Sequence, residues 1–433
     1  MVKMLGGTKM GDMTCLAKDL VYPADFAKTG INLNEIIVGP TGCGKTFSNA
    51  YSRLLHTWDS SVIVPISKRA LKNKFEQEFQ KKGYVVQCLD FSTPEFCEIG
   101  YDPLDYVHRD EDVIQLAKNL IGSGISKTQG GEADPYWNNS ATSVLAAEIA
   151  FVRMKAKAND EKPKFSNVIK LHRSLEITSD DGLVKTNLDK LFHRIEMHYP
   201  GNQASELWKT IQNLASRTAS CIFSIVNNAL DKIFTESVLE ILEKNNKVSF
   251  EKMGKEKTAL FIVTSPMNKS LQTFVNVMYA DLFRELYESA AKNENECLAV
   301  PVHIICDDFA CSGRIQDFED YISIFRAAGI SVTLLLQSES QLAAMYGKDA
   351  AVTIINNCDT YVYMGGMDVE TCRNVSLRSN KPLDKIMNME LEKVVVFRRG
   401  QKPIFSYRYP ITEDPLYKEM MGEKIPSSKN GRE

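Results

Sequence analysis

Gly39-Pro40-Thr41-Gly42-Cys43-Gly44-Lys45-Thr46 stands between the short apolar run Asn34–Val38 and the helix-compatible segment Phe47–Leu55. Strand, glycine-rich loop and helix in that order satisfy G-x-x-x-x-G-K-[ST] in the context the pattern requires. The glycines let the backbone curl so that successive N–H groups converge on phosphate oxygens, and the start of the helix adds the positive end of its dipole. Lys45 then reaches the β- and γ-phosphates of ATP, and Thr46 offers its hydroxyl to Mg2+. A purely structural glycine turn is the competing reading. The pattern arises by chance in only about one chain in a hundred of this length, which favours nucleotide binding.

Working outward, Ser61–Ile66 and Tyr84–Leu89 read as strands, with an amphipathic helix over Lys68–Lys82 between them. That alternation predicts an α/β parallel sheet. From about Glu111 the period changes to 3.6, and Asp112–Ile121, Ser140–Lys155, Glu206–Ala215, Ser220–Leu230 and Ser237–Lys244 read as helices. Strands resume at Thr258–Thr264, Val302–Cys306, Ser331–Leu336, Thr360–Met364 and Lys393–Phe397, with helices Leu271–Ala291 and Phe318–Ala328 between them. The expected organisation is a nucleotide-binding domain built from residues 1–105 and 256–415, interrupted by an all-α insertion over 106–255. Residues 416–433, polar and bearing Gly, Pro and Ser, are expected to form a flexible tail.

A phosphate cradle needs carboxylates at the tip of a neighbouring strand. The run Val302–Cys306 ends in Asp307-Asp308, the pattern of a Walker B strand, with Asp307 for the Mg2+ shell and Asp308 to orient or deprotonate water. A solvated turn after a core strand is the alternative. The next strand ends at Gln337, placed either to sense the γ-phosphate or water, or simply to close the strand with a hydrogen bond.

Composition excludes several classes. With 433 residues, 44% hydrophobic and 25% charged, the chain is globular and long enough for two or three domains. A formal net charge of −3 supplies no global basic field, so nucleic-acid contacts must be local. Arg398, Arg399 and Lys402, or Lys68 and Arg69, are candidates for them, each competing with a solvated turn charge. Ten scattered cysteines with no CxxC pair read as reduced thiols, and His303, Cys306 and Cys311 read as core residues rather than a metal site. No apolar run reaches the ~18–20 residues of a membrane-spanning helix, and Met1–Met13 has no apolar signal region. A cytoplasmic protein is expected.

Together these residues resemble the TraG/TraD family of type IV secretion coupling proteins. The matching text runs from Gly39–Thr46 through Asp90-Phe91, Tyr101-Asp-Pro-Leu104, Asp134-Pro-Tyr-Trp137, Asp307-Asp-Phe-Ala310 and Arg326-Ala-Ala-Gly-Ile330 to Gln337-Ser338 and Gln341-Leu-Ala-Ala-Met-Tyr-Gly347. The resemblance covers roughly residues 34–410. It implies a RecA-like ATPase motor, a hexamer when active, and DNA as a substrate; with no apolar run long enough to span a membrane, this chain is expected to reach one only through a partner protein. It also implies that Arg326 is an arginine finger for a neighbouring subunit's nucleotide, where the residues alone suggest a surface charge on the helix Phe318–Ala328. The all-α insertion looks like the receptor for relaxase, relaxosome or other cargo proteins.

Three departures qualify the resemblance. The family's N-terminal membrane helices do not appear, which suggests a soluble subclass or a shortened chain. Ile66-Ser-Lys-Arg-Ala70 replaces the usual Asp-Pro-Lys-Gly-Glu. Asp308 replaces a glutamate and is shorter by ~1.5 Å, a misplacement that costs roughly 100-fold in a positioned reaction. Two functions follow from this: an ATP-driven motor that recruits and pumps DNA or nucleoprotein, or a nucleotide-binding adaptor that recruits cargo with little hydrolysis.

Overall fold

The central strands of the large sheet form where the sequence is apolar without alternation, as expected of strands covered on both faces. The computed structural model describes residues 11–97, 99–122, 135–212, 214–265, 271–307, 309 and 314–422. Its strands are β1 (Met13–Ala17), β2 (Leu20–Pro23), β3 (Glu35–Val38), β4 (Ser61–Ile66), β5 (Val85–Asp90), β6 (Ile177–Asp180), β7 (Leu183–Thr186), β8 (Thr258–Val263), β9 (Val302–Cys306), β10 (Ile330–Leu336), β11 (Thr360–Tyr363), β12 (Lys393–Arg398) and β13 (Ile404–Tyr407). Every residue of β3, β4, β8, β9 and β11 is buried.

Contacts divide the chain into two compact units. The first comprises Met1–Cys88, Ser249–Pro266 and Phe283–Glu433, and the second Leu89–Val248 and Met267–Leu282. The first unit is organised by a nine-stranded sheet in the order β13-β12-β11-β3-β10-β9-β4-β8-β5. The strands from β11 to β8 run parallel, so their carboxyl ends share one edge. The β12–β13 pair joins antiparallel beyond β11, a mixed edge on an otherwise parallel α/β sheet. Ile37, Val64, Phe75, Phe79, Phe261, Ile305 and Leu335 lie in the core beneath it.

Helices of the second unit include Asp110–Gly122, Pro135–Ala158, Phe165–Arg173, Asp189–His198, Gln203–Lys209, Ser216–Ile233 and Glu236–Glu243. Trp208, fully buried, stacks on Phe192 at 4.2 Å. This unit also carries a β6–β7 hairpin, which the reading of the insertion as all-α did not include. Its turn is Asp181-Gly182, both at positive φ (47° and 79°), the dipeptide a tight hairpin favours.

The seams also differ from those expected at 105/106 and 255/256. Those positions mark a change of hydrophobic period, whereas contacts change at 88/89 and 248/249. The intervening Leu89–Asp105 is tied within the second unit. Asp90 is fully buried and accepts the Ser92 and Thr93 N–H groups. Tyr101 donates to Asp281. Asp102 accepts N–H bonds from Leu104 (3.0 Å) and Phe165 (3.1 Å), and burial raises its pKa to about 6.

Residues 415–420, most of them assigned to the expected tail, form a helix, and 423–433 lie outside the described residues. Asp414 caps the helix Pro415–Met420 through the Leu416 N–H (2.8 Å), with Pro415 at the start, where its missing N–H costs nothing. Tyr417 meets the Phe47 ring edge-on at 5.6 Å.

The segment is fastened by a buried pair. His56 Nε2 lies 2.7 Å from Asp414 Oδ2, which also accepts the Tyr409 hydroxyl at 2.7 Å. Burial disfavours the imidazolium, but hydrogen bonding to Asp414 and Cys15 outweighs it and raises the His56 pKa from 6.5 to about 9. Burial likewise opposes the Asp414 carboxylate, yet its bond to His56 holds that pKa below the usual 3.8. A raised histidine stabilises fully below pH 6.5 and loses its contribution as pH climbs through about 9. The depressed aspartate contributes above 3.8 and loses its contribution as pH falls through its lower folded value. The melting temperature is therefore expected to decline between pH 6.5 and 9. Asp414→Asn should lower stability by on the order of 3 kcal/mol near neutrality and flatten that decline. An unchanged slope in the variant would assign it to other groups.

Candidate functional site

The loop leaves β3 at Val38 and meets two neighbours at once. Gly39 N–H donates to Leu336 O at the end of β10 (3.1 Å), and Val38 O accepts the Met364 N–H just beyond β11 (2.7 Å). A Cβ at Gly39 would lie 2.7 Å from Cys43 Sγ and 2.9 Å from Met364 Cβ, so only glycine fits this approach. Gly42 and Gly44 turn at φ +82° and +91°. The chain then enters Thr46–Ala50, a wide π turn that continues as the α-helix Tyr51–Leu55.

Lys45 is buried, and its Nζ donates to Gly39 O (2.6 Å) and Pro40 O (3.0 Å), closing the loop on itself. Thr46 Oγ1 donates to Asp307 Oδ1 at 2.8 Å, joining residues 261 positions apart. A hydroxyl and a carboxylate are the hard oxygen donors Mg2+ prefers, so this pair fits that ion. Burial, then the neighbouring Asp307, pushes the Cys306 thiol up to about 12, which keeps it a neutral strand residue beneath the carboxylate.

The strand order places β10 between β3 and β9. Gln337, which directly follows Leu336, therefore leaves the sheet between the phosphate loop and Asp307, at the shared carboxyl edge. Asp308 lies outside the described residues, as do Asp134, Ala310 and Cys311.

Arg326 stands elsewhere. It lies near the C-terminus of the helix Phe318–Ala328, exposed, with its guanidinium 4.2 Å from the Phe26 ring centroid. With Phe26, Arg53 and Tyr287 it lines a cleft of about 1050 Å³. Gly329 N–H bonds back to Arg326 O at the amino end of β10, whereas Gly39 meets the carboxyl end. The seven residues of β10 span about 20 Å, so Arg326 is not brought to its own phosphate loop.

Several other residues singled out in the sequence have structural partners. His303 sits 2.6 Å from Ser331 Oγ and 2.8 Å from Thr333 Oγ1, and burial, then Arg53, pushes its pKa well below 6.5. The Arg398 guanidinium packs 3.8 Å from the Tyr22 ring centroid and Arg399 pairs with Asp359 at 3.3 Å, while Lys68 is exposed just past β4. Tyr346 accepts the Ile315 N–H (3.0 Å) and stacks on Phe309, and Gly347, at φ +90°, ends the helix Glu339–Tyr346.

Two features at the loop were missed by sequence reasoning. Gly366, in the turn after β11, would bring a Cβ within 3.8 Å of Pro40 Cδ, and the Gly365-Gly366 pair closing a strand was a usable signal. Arg408 Nη1 lies 3.3 Å from Cys43 O, 365 positions away, and nothing local marks that arginine.

The parallel sheet, with its glycine-rich loop and Asp307 at the shared carboxyl edge, is an α/β architecture of the P-loop kind. The sequence model of the type IV secretory system conjugative DNA transfer family matches residues 10–379, and the chain belongs to that family. Among solved structures, the bacterial conjugative coupling protein TrwBΔN70 in complex with sulphate is 17% identical with a TM-score of 0.60, over 87% of this chain and 85% of that one. TrwB in complex with ADP and Mg2+ is 17% identical with a TM-score of 0.58, over the same shares. VirB4 of Thermoanaerobacter pseudethanolicus is 12% identical with a TM-score of 0.56, over 95% of this chain and 99% of that one. At these identities the likeness establishes the fold. Comparison with curated proteins found no match. Among the described residues no helix is long and apolar enough to cross a membrane.

Proposed function

We propose that this chain is the ATP-driven coupling motor of a conjugative type IV secretion system, which recruits DNA or nucleoprotein and drives it into the apparatus. The observation that carries the reading is the 2.8 Å bond between Thr46 and Asp307, which unites the phosphate loop and the acidic strand end at one point. In this reading Gly39–Thr46 wrap the phosphates, Lys45 neutralises the β- and γ-phosphates, and Thr46 and Asp307 hold Mg2+, which screens phosphate charge. Gln337 faces the terminal phosphate and Asp308 orients the attacking water, less efficiently than a glutamate. The TrwB complexes with ADP and Mg2+ and with a non-hydrolysable ATP analogue support both ligands.

Arg326 acts in trans within a homo-oligomer, a hexamer when active. A single chain keeps it about 20 Å from its own loop, so the finger role requires a second subunit. The helical unit receives relaxase, relaxosome or other cargo proteins. The motor works at the inner face of the cell membrane, held there through a partner protein. The experiment is ATP hydrolysis with and without single-stranded DNA, using Lys45→Ala as the inactive control. Stimulation by DNA supports the motor. Nucleotide binding with no hydrolysis above that control, with or without DNA, supports the second reading, an adaptor, which Asp308 favours.

A further inference from the structure

Arg408 follows β13 and is anchored three times. Its backbone N–H donates to Glu392 O (2.7 Å), its Nη2 to Glu392 Oε1 (2.5 Å) and its Nη1 to Cys43 O (3.3 Å). A Cβ built on Gly44 would lie 2.9 Å from Arg408 Nη1 and 3.7 Å from Ser48 Oγ. The guanidinium therefore occupies the space beside Gly44, next to the first turn of the helix that follows the loop. That turn's N–H groups are where a nucleotide's phosphates are received. Lys45 Nζ lies at the loop's other end, on Gly39 O and Pro40 O. The loop thus carries two cations, one at each end.

The anchoring itself is a weak source of stability. The Arg408 and Glu392 side chains are 35% and 59% exposed, and exposed ion pairs contribute little. Glu392 also adopts φ +70°, a left-handed conformation unfavourable for a side-chain-bearing residue. What the arrangement does provide is a planar, permanently charged fork with a long, weak bond to a neutral carbonyl, readily exchanged for shorter charge-assisted bonds to a phosphate.

We infer that Arg408 is a nucleotide ligand in cis, contacting the phosphate chain on its nucleoside side and held in reach by Glu392. The assignment rests on the nucleotide-site reading above. It gives the site a contact common to nucleoside diphosphates and triphosphates, separate from the terminal-phosphate role of Lys45.

The test is titration of the full chain with fluorescent ADP and with a fluorescent non-hydrolysable ATP analogue, in Mg2+, at several salt concentrations. Arg408→Ala is expected to raise Kd for both ligands by about 10- to 100-fold and to shallow the salt dependence of binding. Arg408→Lys, which keeps the charge, should recover part of the affinity. Arg408→Gln, which keeps a donor for Cys43 O without the charge, should bind as poorly as alanine. Circular dichroism and melting temperature establish that each variant is folded. Full affinity in Arg408→Gln would reduce the residue to a loop buttress. Unchanged Kd values in folded Arg408→Ala, or a loss confined to the triphosphate, would overturn the assignment. A parent chain that binds neither ligand would instead overturn the nucleotide-site reading.

Discussion

Arg326→Ala is expected to bind ATP as tightly as the parent and to lose turnover by about 10³- to 10⁵-fold, the range an arginine finger contributes in trans. Its cation–π contact with Phe26 is worth about 0.5–1 kcal/mol at an exposed site, too little to hold the guanidinium back when a second subunit presents its nucleotide. Two further results should accompany the loss. Specific activity of the parent should rise with protein concentration, because the complete site forms only between subunits. Mixing Arg326→Ala with Lys45→Ala chains should restore part of the activity, since a hybrid interface pairs one subunit's intact loop with the other's intact arginine. Activity independent of concentration, together with a fully active Arg326→Ala, would return this residue to an ordinary exposed helix charge.

Lys45→Ala is expected to weaken MgATP binding by on the order of 100-fold or more. The lysine is buried against two loop carbonyls, so its removal deletes both a cation matched to the phosphates and the donor that closes the loop. Lys45→Arg should not rescue binding, because a planar fork does not occupy the site of a compact ammonium. The nine-stranded core is untouched by either change, so circular dichroism should remain that of the parent. Titration calorimetry showing parental affinity in a folded Lys45→Ala chain would remove the loop from the nucleotide site.

The helical unit illustrates what periodicity conveys. Ser220–Leu230 and Ser140–Lys155 were visible because apolar residues recur along one face, and both became longer helices, Ser216–Ile233 and Pro135–Ala158. Asp189–His198 was not seen, since it buries only Phe192 among charged neighbours, and Phe165–Arg173 was not seen because nine residues are too few for the period to stand out. The hairpin β6–β7 escaped because β6 is exposed along its whole length, so its residues have no buried face to alternate with.

The core strands and the phosphate loop were legible in the linear sequence because their causes are local. Uninterrupted apolar runs suit strands covered on both faces, and three glycines with Lys45 and Thr46 between a strand and a helix favour a tight turn of the phosphate-loop kind. What only the tertiary structure decided was adjacency. It set β10 between β3 and β9, so that Gln337 leaves the sheet between the loop and Asp307. It closed the Thr46–Asp307 bond across 261 residues and brought Arg408 to Cys43 across 365. It also removed Arg326 to the opposite edge of the sheet. Sheet order and loop-to-loop contact depend on which apolar surfaces find each other in the folded chain, and no run of neighbouring residues encodes that choice.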